Sequence, residues 1–164
     1  MLLLDGLIQV TPSDRPTHNL RKTTAMNADA AAQGAQFVLT PEVTNIVSTS
    51  RSHQLKLVSP EAEDITLKAL REQAADLGIW LLIGSLCLAT DDPEGRFANR
   101  SFMIDPQGNV VAKYDKMHMF DVHISETETY RESAGFRPGT KAVNVDTDFG
   151  RVGMTVCYDV RFPY

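Results

Sequence analysis

The chain has 164 residues, 43% of them hydrophobic, and a formal net charge of −5. This length and hydrophobic content predict a single domain over residues 1–164 that buries a core, and they argue against membrane and disordered proteins. Lys and Arg residues are scattered singly rather than clustered, and together with the acidic charge this argues against a nucleic-acid partner.

The N-terminus predicts neither a signal peptide nor a membrane span. Residues 1–4 are apolar, but Asp5 and Gly6 interrupt the run and no basic segment precedes it. We therefore expect a cytoplasmic protein, in which Cys87 and Cys157 remain reduced thiols.

The first 40 residues predict a β-α-β unit. Residues 2–10 form an apolar run typical of a buried strand, and residues 37–39 form a second one that ends at Thr40-Pro41-Glu42. Between them, residues 17–34 are Ala-rich and predict a helix that ends near Gly34. Its predicted buried face consists of Leu20, Thr24, Ala28, Ala31 and Ala35.

The next segment predicts a second helix followed by a buried strand. Ser59-Pro60-Glu61 has the composition of a helix start, because serine favours the N-cap position and proline the first turn. Leu67, Leu70, Ala74 and Leu77 continue an apolar stripe up to Gly78. Residues 79–88 are the strongest strand candidate, with Cys87 in its core.

Two hairpins complete the predicted sheet. Residues 98–104 and 110–113 flank a turn-forming Asp-Pro-Gln-Gly-Asn segment, and residues 142–145 and 151–156 flank a second turn at residues 148–151. Between the hairpins, residues 114–139 are polar and aromatic with little periodicity. A long irregular segment of this kind in a compact domain more often has a function than not. The pattern predicts an α/β fold with mixed sheets and flanking helices, whose functional groups gather at the carboxyl ends of strands.

Three residues have the chemistry for nucleophilic catalysis, although each has a structural alternative. Cys157 follows an apolar strand and is either a nucleophile or an ordinary core cysteine. Glu42 is either a general base or a surface carboxylate. Lys116 lies among apolar and aromatic residues and is either a solvated side chain or a fixed cation that lowers the thiol pKa and stabilises an oxyanion.

Other polar residues fit structural roles. Asp159 and Arg161 are interpreted as a local polar pair that shapes the turn after Cys157. His118 and His123 lack a convincing set of further ligands, so no metal site is predicted.

Four motifs occur along the chain in a fixed order. They are Thr40-Pro41-Glu42; Lys116-Met117-His118-Met119-Phe120-Asp121; Arg131-Glu132-Ser133 with Arg137-Pro138-Gly139; and Cys157-Tyr158-Asp159-Val160-Arg161-Phe162-Pro163. Together they resemble the nitrilase superfamily of carbon-nitrogen hydrolases. The likeness extends from the strand around Leu7-Ile8-Gln9 to Pro163. Through Phe120-Asp121-Val122 and Tyr130-Arg131-Glu132-Ser133, it is strongest for the branch that contains deaminated glutathione amidase and omega-amidase.

The resemblance implies a set of site residues. It assigns the catalytic Glu, Lys and Cys to Glu42, Lys116 and Cys157, and a supporting second glutamate to Glu132, although Glu132 alone could equally belong to an exposed acidic loop. It also implies that the Tyr158 backbone N–H joins Lys116 in an oxyanion hole. The resemblance implies a small-molecule amide substrate and a homo-oligomer. It implies no cofactor.

The resemblance further implies a four-layer α-β-β-α sandwich of which this chain holds only part. Family members continue well beyond the cysteine motif, whereas this sequence stops at Tyr164. Two functions are therefore expected as alternatives. One is a cysteine amidase that acts on small linear amides. The other is an inactive, truncated remnant that serves as an association module through its exposed sheet.

Overall fold

The computed structural model describes residues 3–163, which form helices packed on a central sheet with a hairpin on its other face. The helices are α1 (Pro16–Ala32), α2 (Arg51–Leu57) and α3 (Ile65–Leu77). The strands are β1 (Asp5–Leu7), β2 (Phe37–Leu39), β3 (Trp80–Leu88), β4 (Ala98–Ile104), β5 (Val110–Asp115), β6 (Asp121–Ser125), β7 (Glu128–Arg131), β8 (Val143–Thr147) and β9 (Gly150–Met154).

The central sheet has five strands in the order β1-β2-β3-β4-β5. Strands β1, β2 and β3 are parallel, while β4 and β5 continue the sheet in antiparallel pairs. The predicted β-α-β unit and the mixed sheet are confirmed. The carboxyl ends of β1, β2 and β3 meet at one edge, and the Glu42 loop follows β2 there.

Both faces of the central sheet are covered, because its apolar side chains alternate between two clusters. Val38, Leu81 and Phe102 belong to the cluster that packs against α1 and α3. Their neighbours Phe37 and Trp80 point to the opposite face, where Phe149 of the β8-β9 turn packs on both rings, with centroids 5.0 and 5.9 Å away. The described residues thus form an α-β-β arrangement of layers.

The first strand is shorter and more exposed than the sequence predicts. Only Asp5–Leu7 pair with β2, and Leu7 is 77% exposed because β1 is an edge of the sheet. Leu2, at which the predicted strand begins, lies outside the described residues, as do Met1 and Tyr164. The prediction of a buried first strand is therefore wrong.

The buried face of α1 is displaced by one residue from the predicted one. Asn19, Thr23 and Asn27 are fully buried, whereas their neighbours Leu20 and Thr24 are only partly buried. The amide groups of Asn19 and Asn27 face the interior because hydrogen-bond acceptors lie within reach there. Asn19 Nδ2 donates to the carbonyl of Asn45 at 2.9 Å, and Asn27 Nδ2 donates to Gln73 Oε1 at 3.0 Å.

The second predicted helix begins later than the Ser-Pro-Glu signal indicates. Pro60 is extended, Glu61–Glu63 form a single 3-10 turn, and α3 begins at Ile65. The cap is Asp64, whose carboxylate accepts the Leu67 N–H at 2.8 Å. Ser59, the predicted cap, is therefore not the cap of this helix.

Residues 114–139 contain regular structure that their pattern does not indicate. Strand β5 extends to Asp115, and β6 and β7 form a largely exposed hairpin. Helix α2 is also absent from the sequence-based prediction, since its seven residues have no buried stripe. Within the described part of the chain, no helix is long and apolar enough to cross a membrane.

Candidate active site

The loop that carries Glu42 is held tightly against a bulge in β3. Val43 has φ +50°, a left-handed conformation that is costly for a β-branched residue, and its N–H donates to Ser85 Oγ at 2.8 Å. Gly84 makes this approach possible, because a Cβ there would lie 2.1 Å from the carbonyl oxygen of Thr40. The loop therefore fixes the direction in which Glu42 leaves the backbone.

Lys116 is a buried cation between two carboxylates. Its side chain is 1% exposed, and Nζ lies 2.9 Å from Glu42 Oε1 and 2.9 and 2.8 Å from the two oxygens of Glu132. Burial alone would lower the pKa of Lys116, but the hydrogen bonds that it donates to Glu132 and Glu42 outweigh burial, so the pKa is raised. Lys116 is therefore charged at neutral pH and is not a solvated surface lysine.

Glu132 turns inward from the exposed acidic segment. It begins a 3-10 turn after β7, its side chain is 16% exposed, and its Oε2 accepts the Phe120 N–H at 2.6 Å. Glu126 and Glu128, by contrast, are exposed. The alternative that Glu132 belongs to a solvated acidic loop is excluded, because its carboxylate faces Lys116.

Cys157 begins a 3-10 turn, Cys157–Arg161, shortly after β9 ends. Its φ of +50° is the second left-handed non-glycine conformation among residues 3–163, beside that of Val43. Such conformations persist where the surroundings impose them, and they are frequent at functional sites. Cys157 is exposed and free, so it is not the core cysteine that its sequence context allowed.

The thiol of Cys157 is held in its neutral form. Partial burial, the charge of Glu42 and a hydrogen bond to Glu42 raise its pKa, and the charge of Lys116 only partly opposes them. Lys116 lowers the thiol pKa, as expected of a fixed cation, but burial and the carboxylate of Glu42 outweigh it.

A buried carboxylate ties the Cys157 turn to the segment after Lys116. Asp159 accepts hydrogen bonds from Tyr114 Oη at 2.6 Å, from the Val156 N–H at 2.9 Å and from the His118 N–H at 2.9 Å, and it lies 2.7 Å from His118 Nδ1. The predicted pair of Asp159 with Arg161 is wrong. Arg161 is exposed, while Asp159 points into the core, where these donors converge.

Aromatic rings surround the turn that carries the cysteine. The Tyr158 ring packs edge-on against Phe120 and Phe162, with centroid distances of 5.1 and 5.4 Å. The His118 ring stacks on Phe162 at 3.9 Å. These ring contacts give the Cys157 turn an apolar border.

His118 and His123 each contact one neighbouring polar side chain. His118 pairs with Asp159, and His123 Nδ1 lies 2.8 Å from Thr129 Oγ1. No cluster of three or more His, Cys, Asp or Glu side chains within residues 3–163 could hold a metal ion.

Asn99 belongs to this cluster and was missed by the sequence analysis. It lies in β4, is 1% exposed, and its Nδ2 is 2.8 Å from Glu42 Oε1. The available signal was an amide residue inside the otherwise apolar strand of residues 98–104. The structure thus brings Glu42, Lys116 and Glu132 together with Asn99. The Cys157 thiol lies near enough to this cluster for Glu42 to raise its pKa.

Comparison with known sequences agrees with this geometry. The sequence model of the carbon-nitrogen hydrolase family matches residues 6–164. The chain is 38% identical over 132 residues to deaminated glutathione amidase of Yersinia enterocolitica, which covers 79% of this chain and 46% of that protein. It is 32% identical over 160 residues to human omega-amidase NIT2, covering 96% of this chain and 55% of the relative. The chain thus spans about half the length of these curated relatives.

Solved structures share the fold. The NitFhit protein of C. elegans superposes with a TM-score of 0.87 at 30% identity, over 97% of this chain and 39% of that one. A Glu-to-Gln mutant of an amidase from Nesterenkonia, with acrylamide added at its active-site cysteine, superposes with a TM-score of 0.78 at 29% identity, over 99% of this chain and 60% of that one. The predicted α/β fold and the resemblance drawn from the four motifs are confirmed, and the chain belongs to the carbon-nitrogen hydrolase family.

Proposed function

We propose that this chain carries the catalytic apparatus of a cysteine amidase, which hydrolyses the C–N bond of a small linear amide through a thioester and releases ammonia. The observation that carries the proposal is the placement of a charged, buried Lys116 against Glu42, beside a neutral and exposed Cys157 thiol. These groups supply a cation, a base and a nucleophile at one place.

In the first half of the proposed reaction, Cys157 attacks the amide carbonyl. Because its thiol is neutral at physiological pH, Glu42 takes the proton as the S–C bond forms. Glu42 then gives that proton to the amide nitrogen as the C–N bond breaks. Ammonia leaves, and the acyl group remains as a thioester on Cys157.

In the second half, water hydrolyses the thioester. Glu42 takes a proton from the attacking water and returns it to the sulfur as the S–C bond breaks. The product is a carboxylic acid, and the enzyme returns to its starting state. One carboxylate thus serves both halves of the cycle, and the electron and proton balance requires no cofactor.

Lys116 and the Tyr158 backbone N–H are the proposed oxyanion donors. An ammonium group has three N–H bonds, and Lys116 can share one between both oxygens of Glu132 and use another for Glu42. One donor then remains for the oxyanion. Tyr158 follows Cys157 at the start of the 3-10 turn, where backbone N–H groups have no acceptor within the helix.

The proposed substrate class is an α-keto acid or dicarboxylate monoamide. Support comes from relatives that carry the names deaminated glutathione amidase and omega-amidase. The proposal also includes a cytoplasmic protein that forms homo-oligomers, with residues 1–164 as the N-terminal portion of one catalytic domain.

The test is ammonia release from a short dicarboxylate monoamide and from an α-keto acid monoamide. We expect Cys157→Ala to abolish release, because the thioester cannot form. Cys87→Ala is the matched control and should retain release, since Cys87 is buried in β3 with a pKa raised to about 12 by burial. Unchanged turnover in Cys157→Ala, or no release by the unmodified chain from either amide, would refute the proposal.

A second candidate function is a non-catalytic association module. The observation that favours it is the exposure of apolar side chains at the sheet edge and beside the cysteine turn, with Leu7 77% and Val160 72% exposed. This function predicts stable self-association without ammonia release. A monomeric chain that hydrolyses amides would exclude it.

A further inference from the structure

Asn99 contacts all three charged residues of the candidate site. Its Nδ2 donates to Glu42 Oε1 at 2.8 Å and lies 3.4 Å from Glu132 Oε1. Its backbone carbonyl accepts the Lys116 N–H at 2.9 Å. Strand β4 therefore links the base, the cation and the second carboxylate through a single residue.

Electrostatics fixes the orientation of the Asn99 amide. If the group were rotated by half a turn, its oxygen would face two carboxylates, so the NH₂ group must point towards Glu42 and Glu132. This orientation leaves the amide oxygen unsatisfied: Asn99 Oδ1 is buried without a hydrogen-bond partner among the described residues. An unsatisfied buried oxygen costs about 1–3 kcal/mol. An apolar side chain would avoid this cost, so packing alone does not explain the amide.

The contacts divide the two oxygens of Glu42 between different tasks. Oε1 is held by both Asn99 Nδ2 and Lys116 Nζ, at 2.8 and 2.9 Å. The second oxygen, Oε2, is then left for the thiol. Lys116 alone would hold Oε1 from one side only, and rotation of the carboxylate would remain possible. With two donors on Oε1, rotation breaks a charge-assisted hydrogen bond in a largely buried site.

We propose that Asn99 is a positioning residue, which anchors Glu42 Oε1 so that Oε2 faces the Cys157 thiol and exchanges its proton during amide hydrolysis. The proposal deepens the function proposed above and rests on it for the reaction. The positioning itself is a property of the resting protein, and it can be measured without any turnover.

The test is a double-mutant cycle between Asn99 and Glu42, read out by alkylation of Cys157 with iodoacetamide across a range of pH. Asn99→Leu keeps a similar volume and removes the donor. Asn99→Ser is the second variant, with a side chain too short to span the gap. Each is made in the native and in the Glu42→Gln background. Peptide mass spectrometry separates Cys157 from Cys87, and labelling of the buried Cys87 reports loss of fold.

In the native background we expect Asn99→Leu to lower the midpoint pH of Cys157 alkylation by about half a unit to one unit, because a displaced Glu42 raises the pKa of the thiol less. In the Glu42→Gln background the same substitution should cause no further shift. Amide hydrolysis should fall in Asn99→Leu even though alkylation near neutral pH becomes faster. A merely structural defect would lower both rates.

Two outcomes would overturn the proposal. One is an unchanged midpoint in Asn99→Leu and Asn99→Ser while Cys87 stays unlabelled. The other is an equal shift in both backgrounds, which would mean that Asn99 acts through Lys116 or Glu132 instead of Glu42. Absence of ammonia release from the unmodified chain would refute the proposed function alone, since alkylation requires no substrate.

Discussion

At the scale of single residues, the site depends on how three charges balance around one thiol. Lys116 contacts the carboxylates of Glu42 and Glu132, which raise its pKa and keep it protonated. Burial and these carboxylates together raise the pKa of Cys157 even though a cation is near. The proposed reaction therefore depends on transferring the proton to Glu42 during the attack, and not on a stored thiolate.

The charge of Lys116 can be tested on the thiol directly. Lys116 lowers the pKa of Cys157, and its removal should raise that pKa further, so that alkylation of Cys157 by iodoacetamide becomes slower at pH 8. We expect Lys116→Gln to slow it several-fold, as for a shift of about half a unit to one unit. Lys113→Gln is the matched control, because Lys113 is exposed and pairs with Glu61. Equal rates of Cys157 alkylation in Lys116→Gln and Lys113→Gln would contradict an effect of the Lys116 charge on the thiol.

The sequence predicted the identities of these residues better than their environment. Glu42, Lys116, Glu132 and Cys157 came from the order of the motifs. The raised pKa of the thiol could not be predicted in this way, since it depends on the burial of Cys157 and on carboxylates at positions 42 and 132. Asn99 was missed for a related reason: a buried amide in a strand has meaning only when its partners are known.

At the scale of elements, the carboxylate of Asp159 joins the Cys157 turn to the segment after Lys116. The donors to it come from the end of β5, from residue 118 and from the residue before Cys157. This set of bonds fixes the turn relative to Lys116. It also explains how Cys157 keeps a left-handed conformation at the end of an otherwise regular hairpin.

Substitution of Asp159 should destabilise the fold in a way that depends on pH. Burial would raise the pKa of Asp159, but its hydrogen bonds from Tyr114, Val156 and His118 outweigh burial and lower it. The contribution of the carboxylate is therefore present above the ordinary aspartate range and is lost as the pH falls through the lowered value. We expect Asp159→Asn to reduce the free energy of unfolding by about 2–3 kcal/mol at pH 7, and by less in strong acid.

Urea unfolding monitored by the fluorescence of Trp80 measures this effect. Asp146→Asn is the control, because Asp146 forms an exposed pair with Arg151 and should change stability little at any pH. The role given to Asp159 would be contradicted if Asp159→Asn lost no more free energy of unfolding than the control. A loss of stability that does not vary with pH would contradict it as well.

The elements that the sequence predicted are those with buried, periodic side chains. Strands β3 and β4 and the body of α3 have strong apolar patterns, and they were found close to their predicted positions. Helix α2 and the β6-β7 hairpin were missed because their side chains are mostly exposed and lack a period. The start of α3 was misplaced because proline, serine and acidic residues fit a 3-10 turn as well as a helix.

At the scale of the whole molecule, the layers of the described chain are unevenly covered. The central sheet has helices on one face and the β8-β9 hairpin on the other, while β1 is an uncovered edge. The matches to two relatives cover 46% and 55% of the lengths of those proteins. An exposed strand edge with an apolar side chain is a template for further strand pairing.

A charge on this edge should therefore reduce association. Leu7 is 77% exposed, so Leu7→Lys removes little buried surface and places a charge where an incoming strand would pair. We expect sedimentation velocity at micromolar concentration to give a smaller weight-average mass for Leu7→Lys than for the unmodified chain. Leu55→Lys is the matched control: Leu55 is 59% exposed but lies on helix α2, which presents no strand edge, so the mass should not change. If both variants reduce the mass equally, general charge repulsion explains the effect. If neither variant reduces the mass, the chain associates through another surface. The next surface to test is then the set of apolar side chains beside the Cys157 turn.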